Sequence, residues 1–246
     1  MFRVCILFSF LSFSYAAHIS TGMPEHSICL GATLVYDYKG PIPADKLETG
    51  DHVHIISSDI TITHENLKFP QLLHVAIEKC SFKGEIQEFF KTMPSVNRLV
   101  LENNQIENFK ISDLRILHDL EILTIKNQKM DNINAKTFEG FDRLKELHLN
   151  SMEIDQIDNR AFGETVNLQI LDLSENKLKT ISREMLEPLK NLKRLMLNNN
   201  ELTELTEAQF PELPELEVIE IEGNQVSKFN IEKLKKKCPK LRDIKF

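Results

Sequence analysis

The chain is 246 residues long, with 37 Asp or Glu against 30 Lys or Arg and a net charge of −7. Beyond the N-terminus no stretch approaches the roughly 20 apolar residues of a membrane span, so no membrane span is expected, and no nucleic acid is expected as a partner. No G-x-S-x-G, H-E-x-x-H, phosphate loop or C-x-x-C occurs, so neither an enzyme nor a cofactor site is expected.

The first residues, MFRVCILFSFLSFSYAAHIS, carry one arginine, an apolar run from Val4 to Phe13 and small residues at Ser14 and Ala16. Residues 1–16 read as a cleaved secretory signal, which predicts a secreted, extracellular protein. Cleavage leaves Cys29, Cys80 and Cys238. An odd count in a secreted protein points to a free thiol or a bond to another chain. Residues 17–70 form an N-terminal cap, and within it DHVHIISSDITITHENLKFP holds two β-branched runs around Ser57-Ser58, predicted as a hairpin or as paired edge strands. His52 and His54 fall on one side of a strand with His64 nearby in sequence. Three histidines suit a metal, but no acidic or cysteine partner stands at good spacing, so they read as surface histidines.

From Leu72 onward one register repeats at a fixed spacing. Leu192, Leu195, Leu197, Asn200 and Leu202 recur earlier as Leu168, Leu171, Leu173, Asn176 and Leu178, and later as Leu216, Ile219, Ile221, Asn224 and Val226. The register runs back through Leu144, Leu120, Val96 and Leu72, and a truncated copy stands at Leu241, Ile244 and Phe246. A second apolar position recurs late in every unit, at the same offset from its first leucine: Phe90, Leu114, Phe138, Phe162, Leu186, Phe210 and Leu234.

This L-x-x-L-x-L-x-x-N-x-L register, with a period of about 24, resembles the typical extracellular leucine-rich repeat. The resemblance implies an α/β solenoid: a right-handed horseshoe with a concave parallel β-sheet and an irregular, short-helical convex side. Residues 71–240 supply about seven units and 241–246 a truncated terminal repeat. No unit buries its own apolar face, so the stack is the core. The ninth-position side chains Asn104, Asn176, Asn200 and Asn224 are expected to turn inward and bond backbone groups at the turn that leaves each strand, as an asparagine ladder. Gln128, one methylene too long, and Met152, which cannot donate, interrupt it, so the middle of the stack is expected to be distorted or hydrated. Asn198 and Asn199 are expected on the exposed strand edge. Ile60, Ile62, Leu67 and Pro70 resemble the entry strand of the cap that precedes such repeats, although that cap's cysteines are absent. Cys29 and Cys80 are left either bonded to each other or as two thiols.

Strand residues alternate faces, so the third and fifth positions of every unit are predicted on the concave side. An extracellular protein partner is expected to bind there, at Arg98, Val100, Ile122, Glu146, His148, Ile170, Asp172, Arg194, Met196 and Val218, where apolar anchors stand among charged neighbours. Between Lys228 and Phe246 eight basic residues face two acidic ones. This basic end reads as a solvated helix face or as a site for an anionic glycan, membrane surface or acidic partner. Strands about 4.8 Å apart put Cys238 roughly 29 Å from Cys80, too far for an internal bond, and a disulfide-linked dimer through Cys238 is expected. No N-x-S/T sequon masks either face. In overall form the chain is similar to the leucine-rich immune proteins of insects, which implies recognition or scaffolding in innate immunity. An extracellular-matrix or adhesion component, resembling the small leucine-rich proteoglycans, and a secreted inhibitor of an extracellular enzyme are the alternatives.

Overall fold

A computed structural model describes residues 27–30, 33–36, 52–56, 59–61, 69–130, 132–226 and 230–246. The signal segment and His64 lie outside them, as does the side chain of Cys29 on which its pairing with Cys80 depends. The chain forms β1 (Ser27–Leu30), β2 (Thr33–Tyr36), β3 (His52–Ile56), β4 (Asp59–Thr61), β5 (His74–Glu78), β6 (Ser81–Lys83), β7 (Arg98–Glu102), β8 (Gln105–Ile106), β9 (Ile122–Lys126), β10 (Glu146–Asn150), β11 (Ile170–Asp172), β12 (Arg194–Met196), β13 (Val218–Glu220) and β14 (Asp243–Lys245). Three short helices, α1 (Ile86–Phe90), α2 (Arg183–Leu186) and α3 (Ile231–Lys237), and 3-10 turns at Ile111–Ile116 and Glu207–Gln209 lie on the side opposite the main sheet.

The main sheet runs β14-β13-β12-β11-β10-β9-β7-β5-β3-β1-β2. From β3 to β14 every pairing is parallel and in register, Leu147 beside Leu171 beside Leu195 beside Ile219. Side chains at the fourth and sixth positions of the full units point inward and are sealed from solvent, as are Phe90, Leu114, Phe138, Phe162, Leu186, Phe210 and Leu234 from the opposite wall, whereas in the truncated last unit Ile244 is half-buried and Phe246 exposed. Burial of this continuous apolar column is the main stabilising term, because no single unit has a second layer of its own.

The N-terminal segment differs from its predicted hairpin. β3 and β4 do not pair with each other: β3 lies parallel to β5, and β4 lies parallel to β6 in a second sheet of order β4-β6-β8. Val53 and Ile55 take the inward positions of Val75 and Ile77, so β3 and β4 stack as the strands of a further repeat unit, whose offset to the next, His52 to His74, is slightly shorter than the offset from His74 to Arg98. Ile60, read as part of a cap's entry strand, stands opposite Phe82 in that second sheet. The sheet edge is covered instead by the antiparallel pair β1 and β2, with β1 antiparallel to β3. Alternation in residues 52–61 suits either arrangement; the apolar face offered by Val75 and Ile77 decides it in favour of stacking.

The turn leaving each strand explains the run Asn198-Asn199-Asn200. At the eighth position the backbone is left-handed in unit after unit: Lys79, Asn103, Asn127, Ser151, Glu175, Asn199 and Gly223 have φ of 53, 55, 52, 54, 59, 53 and 72°. Asparagine and glycine tolerate this region best, and a Cβ on Gly223 would run into the Asn199 amide. Asn200 is buried; its Nδ2 donates to the carbonyls of Leu173 and Leu197 at 2.9 and 3.0 Å, and its Oδ1 accepts from Leu178 N at 3.1 Å. Asn176 serves Leu149 O, Leu173 O, Met152 N and Ile154 N, Asn224 serves Leu197 O, Ile221 O and Leu202 N, and Asn104 serves Ile77 O and Cys80 N. Asn198, expected at an exposed edge, is engaged too: its Oδ1 accepts from Glu222 N at 3.0 Å and its Nδ2 donates to Glu220 at 3.2 Å.

At the interruptions the register holds, with β9, β10 and β11 continuously paired. Where Met152 cannot serve Met130 N, its own backbone carbonyl accepts that donor at 3.3 Å. Gln128 is buried, with its Oε1 sealed and without a protein partner. Asn200→Ala is expected to cost about 1–3 kcal/mol, since it strands buried backbone groups. Asn198→Ala is expected to cost about 1 kcal/mol, the loss of two partly exposed bonds. Urea midpoints that rank the two variants in the opposite order would overturn the assignment of their roles.

Candidate protein-binding face

The outward columns of the sheet are set by register. The third positions run His52, His74, Arg98, Ile122, Glu146, Ile170, Arg194, Val218 and Asp243, and the fifth run His54, Ala76, Val100, Thr124, His148, Asp172, Met196, Glu220 and Lys245. Val100, Ile122, Ile170 and Met196 are partly exposed. Val218, grouped with them from its column, is only 8% exposed and lies between Arg194 and Asp243, so it is largely closed to a partner. Ile170 stands directly beside Glu146 and Arg194, and Met196 beside Asp172 and Glu220; the two apolar side chains are diagonal neighbours on adjacent strands.

Two acidic residues of the fifth column are buried. Glu220 accepts from Arg194 at 2.8 Å and Asn198 at 3.2 Å and pairs with Lys245 at 3.3 Å. Burial would raise its carboxyl, but these three donors win and hold it below the ordinary range. Arg194 is thus already committed to the neighbouring strand. Asp172 accepts from Asn150 Nδ2 at 2.7 Å and Ser174 N at 3.0 Å, with His148 Nδ1 at 3.4 Å. Burial again works against the charge, and hydrogen bonds from His148, Asn150 and Ser174 outweigh it, leaving the carboxyl at about 2. His148 stands between this carboxylate and Glu146, 3.6 Å from Nε2.

At the other end of the face the His52 and His74 rings meet edge to face, their centroids 4.0 Å apart. Glu78 lies 3.6 Å from His54 and 2.9 Å from Lys79. The bond from His54, opposed by burial and aided by Lys79, holds its carboxyl at about 2. Among the described residues no three His, Cys, Asp or Glu side chains are grouped to hold a metal.

Asp172 and Glu78 are both depressed, so they contribute stability that is full above the ordinary carboxylate pKa of about 4 and lost as pH falls toward 2. For Asp172 alone this amounts to about 2 kcal/mol. Denaturation at pH 6 and at pH 2.5 is expected to show a smaller drop in Asp172→Asn than in the parent. Equal drops would mean that the carboxylate contributes nothing in this window.

The basic end is largely consumed internally. Lys233 pairs with Glu207, Lys240 with Glu215, Arg242 with Glu217 and Lys245 with Glu220, all across to the preceding unit. Lys237 donates to the carbonyls of Glu207 and Phe210 at 2.7 and 2.8 Å. The charge run therefore neutralises an acidic neighbouring unit, and of α3 only Lys235 and Lys236 carry no such contact among the described residues.

Cys238 caps the C-terminus of α3 and is completely buried; burial pushes its thiol up to about 11. A protonated thiol sealed from solvent is a poor partner for disulfide exchange, so the structure runs against a dimer linked through Cys238. Spacing along the solenoid excludes an internal bond but does not say which way the side chain faces. The parent and Cys238→Ser are expected to migrate identically on non-reducing electrophoresis. A dimer band that vanishes in the variant would show that α3 undocks.

The described residues contain no helix long and apolar enough to cross a membrane. The family model for the leucine rich repeat matches residues 118–178, 142–196 and 166–226. Toll-like receptor 4 of Equus caballus is 36% identical over 83 residues, 32% of this chain and 9% of that protein, and Toll-like receptor 4 of Bos taurus is 32% identical over 99 residues, 39% and 11%. The chain thus spans about a tenth of the length of these relatives. Among solved structures, internalin C2 of Listeria monocytogenes superposes with a TM-score of 0.62 at 18% identity, covering 82% of this chain and 83% of that one. An internalin (inlF) of the same bacterium gives 0.56 at 20% over 78% and 54%, and TLR13, solved with ssRNA13, gives 0.61 at 18% over 82% and 33%. Matched repeats, parallel in-register strands and the shared solenoid agree: the chain is a leucine-rich repeat protein.

Proposed function

We propose that the protein is a secreted recognition or scaffold module of innate immunity that binds another protein across its concave strands, and that it is not an enzyme. The observation that carries this reading is the row Val100, Ile122, Ile170 and Met196, partly exposed on one continuous sheet face and interleaved with Arg98, Glu146, His148 and Arg194. Core packing asks nothing apolar of these outward positions, and such a row supplies hot-spot anchors within a polar surround. Likeness to the repeats of Toll-like receptor 4 supports the immune setting, and the apolar run from Val4 to Phe13 supports secretion. The test is co-precipitation from extracellular fluid followed by mass spectrometry, using the parent and the double variant Ile170→Asp, Met196→Asp. A protein captured by the parent and lost by the folded variant is the expected result; equal capture by both overturns the reading.

A further inference from the structure

Two carboxylates of one outward column are equally buried, yet their surroundings differ. Glu220 has two cations and an amide supplied by the units on either side, Arg194 and Asn198 from the one before and Lys245, its cross-strand neighbour, from the one after. Asp172, two strands away, has neutral donors, a histidine at 3.4 Å, and Met196 where Glu220 has Lys245. Among the described residues no Lys or Arg pairs with it. An ionised carboxylate taken out of water without a cation is costly, and polar groups sealed beside it add to that cost. One such group is present: Asn150 Oδ1 is shut from solvent with no donor among the described residues.

We infer that Asp172 is the seat for a guanidinium presented by the protein partner, with Asn150 Oδ1 and the Glu146 carboxylate as its further acceptors. The inference rests on the concave-binding reading above and deepens it. The cluster presents acceptors in excess of donors, and a planar group with five N–H donors and a permanent charge matches it better than a point-like ammonium. Ile170, two residues before Asp172 on the same strand, and Met196, beside it on the next, offer apolar surface to the aliphatic stem of such a side chain. The His148 ring, 23% exposed and between Asp172 and Glu146, is the group that rotates to admit it.

The probes are acetyl-arginine-amide, acetyl-lysine-amide and acetyl-citrulline-amide, titrated while the Met196 methyl and His148 ring resonances are followed. A saturable shift with the arginine probe, a weaker one with lysine and none with citrulline is expected. Asp172→Asn, with folding checked by melting, is expected to weaken the arginine response at least tenfold. Met196→Lys copies the Lys245 arrangement beside Glu220; it is expected to raise the melting temperature and abolish the arginine response. No shift in the parent, an equal response to lysine or citrulline, or undiminished binding by Met196→Lys overturns the assignment. A partner lost by Ile170→Asp, Met196→Asp but held as well by Asp172→Asn as by the parent removes the guanidinium seat and leaves the concave-binding reading standing.

Discussion

Phe162→Ala is expected to lower stability by about 3–5 kcal/mol, the range for truncating a sealed aromatic. Phe162 is 0% exposed and stacks on Phe138 of the preceding unit, centroids 5.3 Å apart and planes 21° from parallel, while Phe138 meets Phe141 edge to face. Removing the ring opens a void in the column that links two units, and close-packed neighbours with strands already in register have little room to collapse into it. Val166→Ala, in the loop just after it and 44% exposed, is the control and is expected to stay within about half a kcal/mol. A urea midpoint for Phe162→Ala that matches the control would mean that the convex wall repacks freely, and the column would then not be continuous.

The double substitution Ile170→Asp, Met196→Asp is expected to leave melting nearly unchanged while costing the complex several kcal/mol. Both side chains point out of the sheet, so no core contact is lost, although an aspartate at 196 stands beside Asp172 and Glu220 and adds some repulsion. At an interface centre, new carboxylates lose water without gaining partners, which is the expensive case. Circular dichroism confirms the fold and a binding titration with the captured partner reads the loss. A change below threefold in affinity would place the contact elsewhere, on the convex wall or at Lys235 and Lys236.

The fixed register makes the strands, the inward leucines and the opposite phenylalanine column legible before any coordinates, because each is a periodic demand of packing. The unit that begins with β3 is hidden from it, because this unit is shorter than the period and has Gly50 where the other units have leucine or valine. The left-handed eighth position is equally hidden: lysine, asparagine, serine, glutamate and glycine all occupy it, so a backbone requirement leaves no chemical signature. On the outward face, the columns can be written down from sequence but not which side chains satisfy one another. Arg194 is free on paper and bound to Glu220 in the fold; Asp172 is one charge among several on paper and sealed in the fold. Those outcomes depend on distances between units that periodicity does not specify. Cys238 shows the same boundary, since its distance along the stack is readable and its burial is not.

The amides of Asn104, Asn176, Asn200 and Asn224 reach back: each bonds backbone of the unit before it, as Asn224 does with Leu197 O and Leu202 N. A unit's exit turn is therefore completed by a residue that comes about one repeat later in the chain. During synthesis from the N-terminus, the newest turn remains open until the following asparagine emerges, so order propagates with a lag of one repeat. The solenoid then has a direction as well as a period. Cutting between two units orphans a turn on the N-terminal fragment and an amide on the C-terminal one, and each fragment is destabilised at its new end. Coupling between nearest neighbours, carried by the strand ladder and the apolar column and closed at most turns by an asparagine amide, makes the array melt as a cooperative whole.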